Sequence, residues 1–123
     1  SDAALIVNNV TIAYEPNSLK VTAGRGTRSL QAQTIGGGRT INVFSEDSST
    51  KIGKISFELV SNDPNIDLVD EWINNINDNT VIILNNRTGV KRTFKNVAVT
   101  SDLDFEIGYQ KNITIEMQAD PMI

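Results

Sequence analysis

Two residue types are missing altogether from the 123 positions, cysteine and histidine. Without cysteine no disulfide staples the chain and no thiol chemistry is open to it. Without either, the usual zinc, haem and iron–sulfur sites have no ligand set. Hydrolysis by a serine or cysteine nucleophile with a histidine base is excluded in the same step. Aromatics are scarce, with four phenylalanines, two tyrosines and one tryptophan. Most sit at apolar, core-like positions, so no stacking platform for sugars or bases is apparent. Positive charge is also short: 11 Lys and Arg stand against 15 Asp and Glu, for a net charge of -4. A protein that grips nucleic acid needs a basic stripe to displace counterions, and the chain as a whole offers none. Long apolar runs are absent, since no stretch approaches the roughly 20 residues that a membrane helix requires. The opening Ser1-Asp2-Ala3-Ala4-Leu5-Ile6-Val7 has no basic start and too short an apolar run for a secretory leader, so none is expected.

What remains is globular: 39% hydrophobic and 21% charged residues, enough for one core and one domain over residues 1–123. The dominant pattern is period-two alternation, the mark of strands buried on one face. Ile55, Phe57 and Leu59 alternate with Lys54, Ser56 and Glu58. Ile113, Ile115 and Met117 alternate with Thr114, Glu116 and Gln118. Leu103, Phe105 and Ile107 alternate with Asp102, Asp104 and Glu106. Val81-Ile82-Ile83-Leu84 reads as a central strand, and Phe94 to Thr100 as another. Leu5 to Val7 and Val10 to Tyr14 flank Asn8-Asn9, a good two-residue turn, and Leu19 to Val21 is a short strand.

Ser29 to Ile35 and Arg39 to Phe44 flank Gly36-Gly37-Gly38, whose glycines supply the positive φ of a tight hairpin tip. This hairpin is polar on both faces for much of its length. One helix is expected at about residues 64–77, with Asp63 as cap and Pro64 in its first turn. Ile66, Leu68, Val69, Trp72, Ile73 and Ile76 fall on one side, and Asp67, Asp70, Glu71, Asn74 and Asn75 on the other. The fold class is therefore mainly β: an antiparallel sandwich or barrel with one packed helix and a long hairpin.

No motif rises to a catalytic proposal. Asp102, Asp104 and Glu106 could hold calcium or magnesium, but the EF-hand spacing and glycine are missing and strand alternation alone explains them. Gly36-Gly37-Gly38-Arg39-Thr40 lacks the lysine and the following helix of a phosphate loop. Arg25, Arg28 and Arg39 would form a basic cluster if the hairpin brought them together; Lys91, Arg92 and Lys95 form another. Ser45-Glu46-Asp47-Ser48-Ser49-Thr50-Lys51 is polar and turn-rich and reads as a projecting loop.

The order and spacing of these segments resemble the tail tube proteins of contractile-tailed bacteriophages. The similarity runs from Val10-Thr11-Ile12-Ala13-Tyr14-Glu15-Pro16 through the glycine-rich tip and Val43-Phe44-Ser45-Glu46-Asp47. It continues over Thr50-Lys51-Ile52-Gly53-Lys54-Ile55-Ser56-Phe57-Glu58-Leu59 and the helix. It closes with Phe105-Glu106-Ile107-Gly108 and Ala119-Asp120-Pro121-Met122-Ile123. The resemblance implies a non-enzymatic virion protein without cofactor or metal. Its subunits form hexameric rings that stack into a tube, and their hairpins join in one inter-subunit β-barrel around a channel. Double-stranded DNA crosses that channel only in transit. The implied partners are further copies, the tail sheath protein, baseplate or initiator proteins and the tape measure protein, with no membrane binding and with assembly in the bacterial cytoplasm. Within the Ser29–Phe44 hairpin, Gln31, Gln33, Thr40 and Asn42 are the candidates for the channel face, and the polar loop Ser45 to Lys51 is the candidate for reaching the neighbouring ring or subunit. The alternative is a β-sandwich binding module of lectin or adhesin type, which would need an exposed aromatic cluster or a calcium site.

Overall fold

The computed structural model describes residues 3–60, 63–103 and 112–123, with only the backbone described for Gln31, Gln33, Thr34, Ile35, Val43, Glu46 and Asp63. Among the described residues nine strands and one α-helix follow in the order β1 Ala3–Val7, β2 Val10–Ile12, β3 Lys20–Thr22, β4 Thr27–Ile35, β5 Arg39–Asp47, β6 Gly53–Val60, α1 Asp63–Asn74, β7 Asn79–Asn85, β8 Lys91–Val99 and β9 Asn112–Ala119. Seven strands form one sheet in the order β2-β1-β7-β8-β9-β6-β3; β4 and β5 form a separate two-stranded ribbon. All described pairings are antiparallel. The chain is thus mainly β with one helix, as its alternation implies.

The seven-stranded sheet folds over on itself because β8 belongs to both halves. Its first part pairs with β7, from Leu84↔Lys91 to Asn79↔Val97. Its end pairs with β9 at Ala98↔Gln118 and Val99↔Met117. Between Phe94 and Val97 the strand carries one residue more than β7 does, and Asn96 there has φ 55. Such a bulge bends a strand and sharpens its twist. Asn96 is held in place by its side-chain amide, which donates to Asp120 Oδ2 at 2.6 Å.

The bend brings two apolar faces together. Leu5, Val7, Val81 and Phe94 come from one half, and Ile55, Phe57, Leu59, Ile113, Ile115 and Met117 from the other; all are buried in one core. Alternation does this directly: β6 and β9 each bury every second residue. Gly53 opens β6 where a Cβ would lie 2.8 Å from both the Phe94 ring and the Asp120 carbonyl, so no larger residue fits that junction. The helix covers the core with Val69 and Trp72, and the Trp72 ring meets Phe57 edge-on at 6.2 Å between centroids. Asp67, Asp70 and Glu71 face water, as expected.

The helix ends at Asn74, three residues before the expected stop, and Ile76 is 73% exposed rather than on the packed face. The reason is a polar knot that outcompetes a further turn. Ile76 adopts φ 56 and its N–H reaches back only to Ile73. Asn79, the one buried polar side chain among the described residues, donates to the carbonyls of Trp72 (2.9 Å) and Val97 (3.0 Å). It accepts from Asn8 (2.9 Å) and Asn75 (3.2 Å). All four of its hydrogen-bonding positions are therefore filled.

The Asn8-Asn9 turn is confirmed, with φ 50 and 69 at the two residues, the left-handed pair of a type I′ hairpin. The third strand begins and ends one residue later than Leu19–Val21. The expected strand through Phe105 and Ile107 lies outside the described residues, and Leu103 is half-buried outside any strand.

Candidate assembly surface: the glycine-tipped ribbon

Nine residues on each side make the ribbon, in register from Thr27↔Asp47 at the root to Ile35↔Arg39 at the tip. Gly37 and Gly38 close it at φ 84 and 74, with open space around them. Among the described residues each of the two strands has one partner strand, so each has one edge without a neighbouring described strand. Both faces carry exposed apolar side chains among the described residues: Leu30 is 66% exposed and Phe44 60% on one, and Ile41 is exposed on the other. An isolated two-stranded ribbon is marginal in water, and long open edges are usually covered or blunted. Here they are neither.

The register sorts the side chains. Leu30↔Phe44, Ala32↔Asn42 and Thr34↔Thr40 fall on one face; Ser29↔Ser45, Gln31↔Val43 and Gln33↔Ile41 fall on the other. The four channel candidates are therefore split. Gln31 and Gln33 share a face with each other, and Thr40 and Asn42 occupy the opposite one, because pairs across an antiparallel ribbon share a side. The Leu30–Phe44 pair was not singled out from sequence. Its signal was present, since both residues stand seven positions from Gly37 and a symmetric tip pairs them.

The segment Ser45–Lys51 is not a projecting loop. Ser45, Glu46 and Asp47 complete β5, and Ser48–Thr50 make a single 3-10 turn. The Asp47 carboxylate accepts from the Ser49 N–H at 3.0 Å and from the Ser49 hydroxyl at 2.6 Å, which caps the turn. These two bonds hold the Asp47 carboxyl below its ordinary value. The Thr50 hydroxyl donates to the Asp47 carbonyl (2.7 Å) and accepts from the Thr27 N–H (2.6 Å), tying the corner to the root of β4. What projects is the ribbon, and this corner anchors it.

Below the root the chain narrows to two close backbones. Gly24, at φ 80, lies so near Ile52 and Gly53 that a Cβ would sit 2.4 Å from their backbone atoms. The Ala23 carbonyl accepts from the Met122 N–H at 2.7 Å, so the segment after β9 braces the same neck.

The other candidates gather no chemistry. Arg28 and Arg39 stand at opposite ends of the ribbon, seven positions along β4 from each other by register, about 24 Å at strand rise. The hairpin thus carries Arg39 away from Arg28 and does not bring the three arginines together. Of the three strand carboxylates, Asp104 and Glu106 lie outside the described residues, and exposed Asp102 accepts from the Leu103 N–H at 2.8 Å. Among the described residues no three carboxylates come together to hold a metal. No described helix is long and apolar enough to cross a membrane.

No protein-family model matches the sequence, and no curated protein matches it. The fold does match solved structures. A chain of an extracellular contractile injection system, PVC, in its sheath–tube complex in the extended state, aligns with a TM-score of 0.61 at 17% identity, over 98% of this chain and 86% of that one. A chain from the PVC sheath/tube terminator aligns at TM-score 0.64 and 17% identity, over 98% and 91%. A chain from the anti-feeding prophage cap, a tube-terminating cap, aligns at TM-score 0.64 and 14% identity, over 99% and 86%. The fold of this chain, along nearly its whole length, is one found in the tube-associated parts of contractile injection systems.

Proposed function

We propose that this chain is a structural subunit of the inner tube of a contractile particle, a phage tail or a phage-like injection system. It polymerises as hexameric rings stacked around a water-filled channel. The observation that carries the reading is the free ribbon. Among the described residues no further strand pairs with its edges, and its Leu30–Phe44 pair is exposed. Side-by-side ribbons from successive copies would pair those edges, and ring closure would remove them altogether. Antiparallel strands of equal length make this geometrically simple: β5 of one copy lies against β4 of the next, and the alternation continues around the ring.

The shared fold supports the same reading. Net charge of -4 suits a conduit, because a basic lumen would hold passing phosphate groups. Sheath, baseplate and tape measure proteins are the expected partners. Double-stranded DNA is the expected traveller in a phage tail, and the polymer is built in the bacterial host and carried in the particle.

Electron microscopy and sedimentation of the purified chain across a range of concentrations test the proposal. Rings or hollow tubes about ten nanometres across or less are expected, the scale of six small domains around a channel. A particle that stays monomeric at every concentration, including when mixed with tube-initiating baseplate proteins, would overturn it.

A further inference from the structure

Resting on the tube reading, we infer that a second contact, apart from the ribbon, joins neighbouring copies. The outward face of β1 and β7 around Ile6, Ile82 and Leu84, with Lys91 at its rim, seats the acidic flank of α1 around Asp70 and Ile73 of another copy of this chain.

The two halves of the sheet treat their outer faces differently. On β6 and β9 the residues turned away from the core are polar: Lys54, Ser56 and Glu58, paired across from Gln118, Glu116 and Thr114. β1 and β7 do not alternate in this way. Ala3-Ala4-Leu5-Ile6-Val7 and Val81-Ile82-Ile83-Leu84 are unbroken apolar runs, the pattern of strands covered on both faces. The core covers one of those faces, where Leu5, Val7 and Val81 are fully buried. On the other face Ile6 pairs with Ile82 and Ala4 with Leu84. All four are half-buried, and none joins the core. An apolar patch thus sits on a sheet whose other half turns polar residues outward.

Charge says what fits it. From Ile55 to Asn86 the chain has six Asp or Glu and no Lys or Arg; from Arg87 to Ser101 it has four Lys or Arg and no Asp or Glu. The fold carries the two blocks to opposite faces. Lys91 pairs with Leu84 and so stands beside the apolar patch, exposed. The helix lies on the core side, where Val69 and Trp72 are buried, and turns Asp67, Asp70 and Glu71 to water. Ile73 neighbours Asp70 on the helix surface, three positions on, and is 38% exposed; Ile76, past the helix end, is 73% exposed. One surface is therefore apolar with a cationic rim, and the other apolar with an anionic rim. Lying on opposite sides of the sheet, they cannot meet within one chain, but they can meet between two. A contact between unlike surfaces of identical subunits repeats from copy to copy and closes into a ring or runs on as a helix, as a tube requires.

Charge exchange tests the contact. Lys91→Glu and Asp70→Lys both change exposed side chains, and circular dichroism should show each variant folded like the parent. Each alone sets like charges against each other between copies, so its polymerisation threshold in a pelleting assay should rise about tenfold or more. Mixed in equal amounts, the two should polymerise within about threefold of the parental threshold, because every contact in an alternating polymer then pairs opposite charges. Ile82→Thr keeps a branched strand residue but places a hydroxyl in the patch, and should raise the threshold about fivefold or more. Single variants that polymerise at the parental threshold, or charge variants that stay defective when mixed, would overturn the contact and leave a tube built by the ribbon standing. Failure of the unsubstituted chain to polymerise at all would sink the tube reading, and this contact with it.

Discussion

Replacing Leu30 and Phe44 together by serine separates the needs of the subunit from those of the polymer. In the free chain these side chains are 66% and 60% exposed, so little is lost when they shrink. Surface changes usually shift stability by less than about 0.5 kcal/mol, and loss of one cross-strand pair adds less than about 1 kcal/mol. Assembly is different. Fully burying a leucine or phenylalanine stabilises by about 1.5–3 kcal/mol. Burying the roughly two-thirds still open on each gives about 1–2 kcal/mol apiece, or about 2–4 kcal/mol for the pair. At about 1.4 kcal/mol per tenfold, the concentration needed for polymerisation should rise about 30- to 700-fold. Pelleting assays over a concentration series, with negative-stain images of the pellets, measure it. Ser29→Ala, on the opposite face, should move the same threshold by no more than about twofold, the equivalent of a surface change of about 0.5 kcal/mol. Polymerisation of the double variant at the parental threshold would refute the reasoning, because the pair would then remain exposed in the polymer.

Four further outcomes follow from the packing. Trp72→Ala removes the largest buried side chain and its edge contact with Phe57, and should cost about 3–5 kcal/mol in urea unfolding followed by circular dichroism. Asn79→Ala strips the partners from two carbonyls and two asparagine amides, and should cost about 2–4 kcal/mol in the same assay, a large loss for one polar side chain. Gly24→Ala combines a left-handed φ with a 2.4 Å backbone clash, so it should unfold more easily than Gly37→Ala, where space is open and only the conformational penalty of about 1–2 kcal/mol applies. Asp47 has its carboxyl lowered by the Ser49 hydrogen bonds, so its contribution to the corner is complete above the ordinary value of 3.8 and disappears as pH falls through the lower folded value. The protection of the Ser49 amide, its intrinsic exchange rate divided by the observed one, should therefore hold at neutral pH and fall toward one only in that acidic range. Loss of that protection already near neutrality would show that the cap does not depend on the carboxylate.

The elements legible in the sequence were those whose cause is local. Alternation placed β6 and β9 because one residue in two had to reach the core, and Asn8-Asn9 placed a turn because asparagine tolerates the left-handed region. What escaped depends on residues far apart in the chain. The helix stops at Asn74 because of Asn79, which is held by Asn8, 71 positions away. The bend of β8 hangs on Asn96, which is held by Asp120. The corner at Ser45–Lys51 read as a projecting loop from its composition. It is tied down because Thr50 reaches Thr27, 23 positions away.

The ribbon lies between these cases, and it is the element that matters most for function. Three glycines announced its tip, but the faces depend on register, and a mixed choice of Gln31 and Gln33 with Thr40 and Asn42 ignored that cross-strand partners share a side. Counting outward from Gly37 would have paired Leu30 with Phe44 and shown an apolar patch on an element with no core to bury it in. Two large apolar side chains held in register on a ribbon that no described element covers are the surface that the proposed tube would bury against another copy of the same sequence.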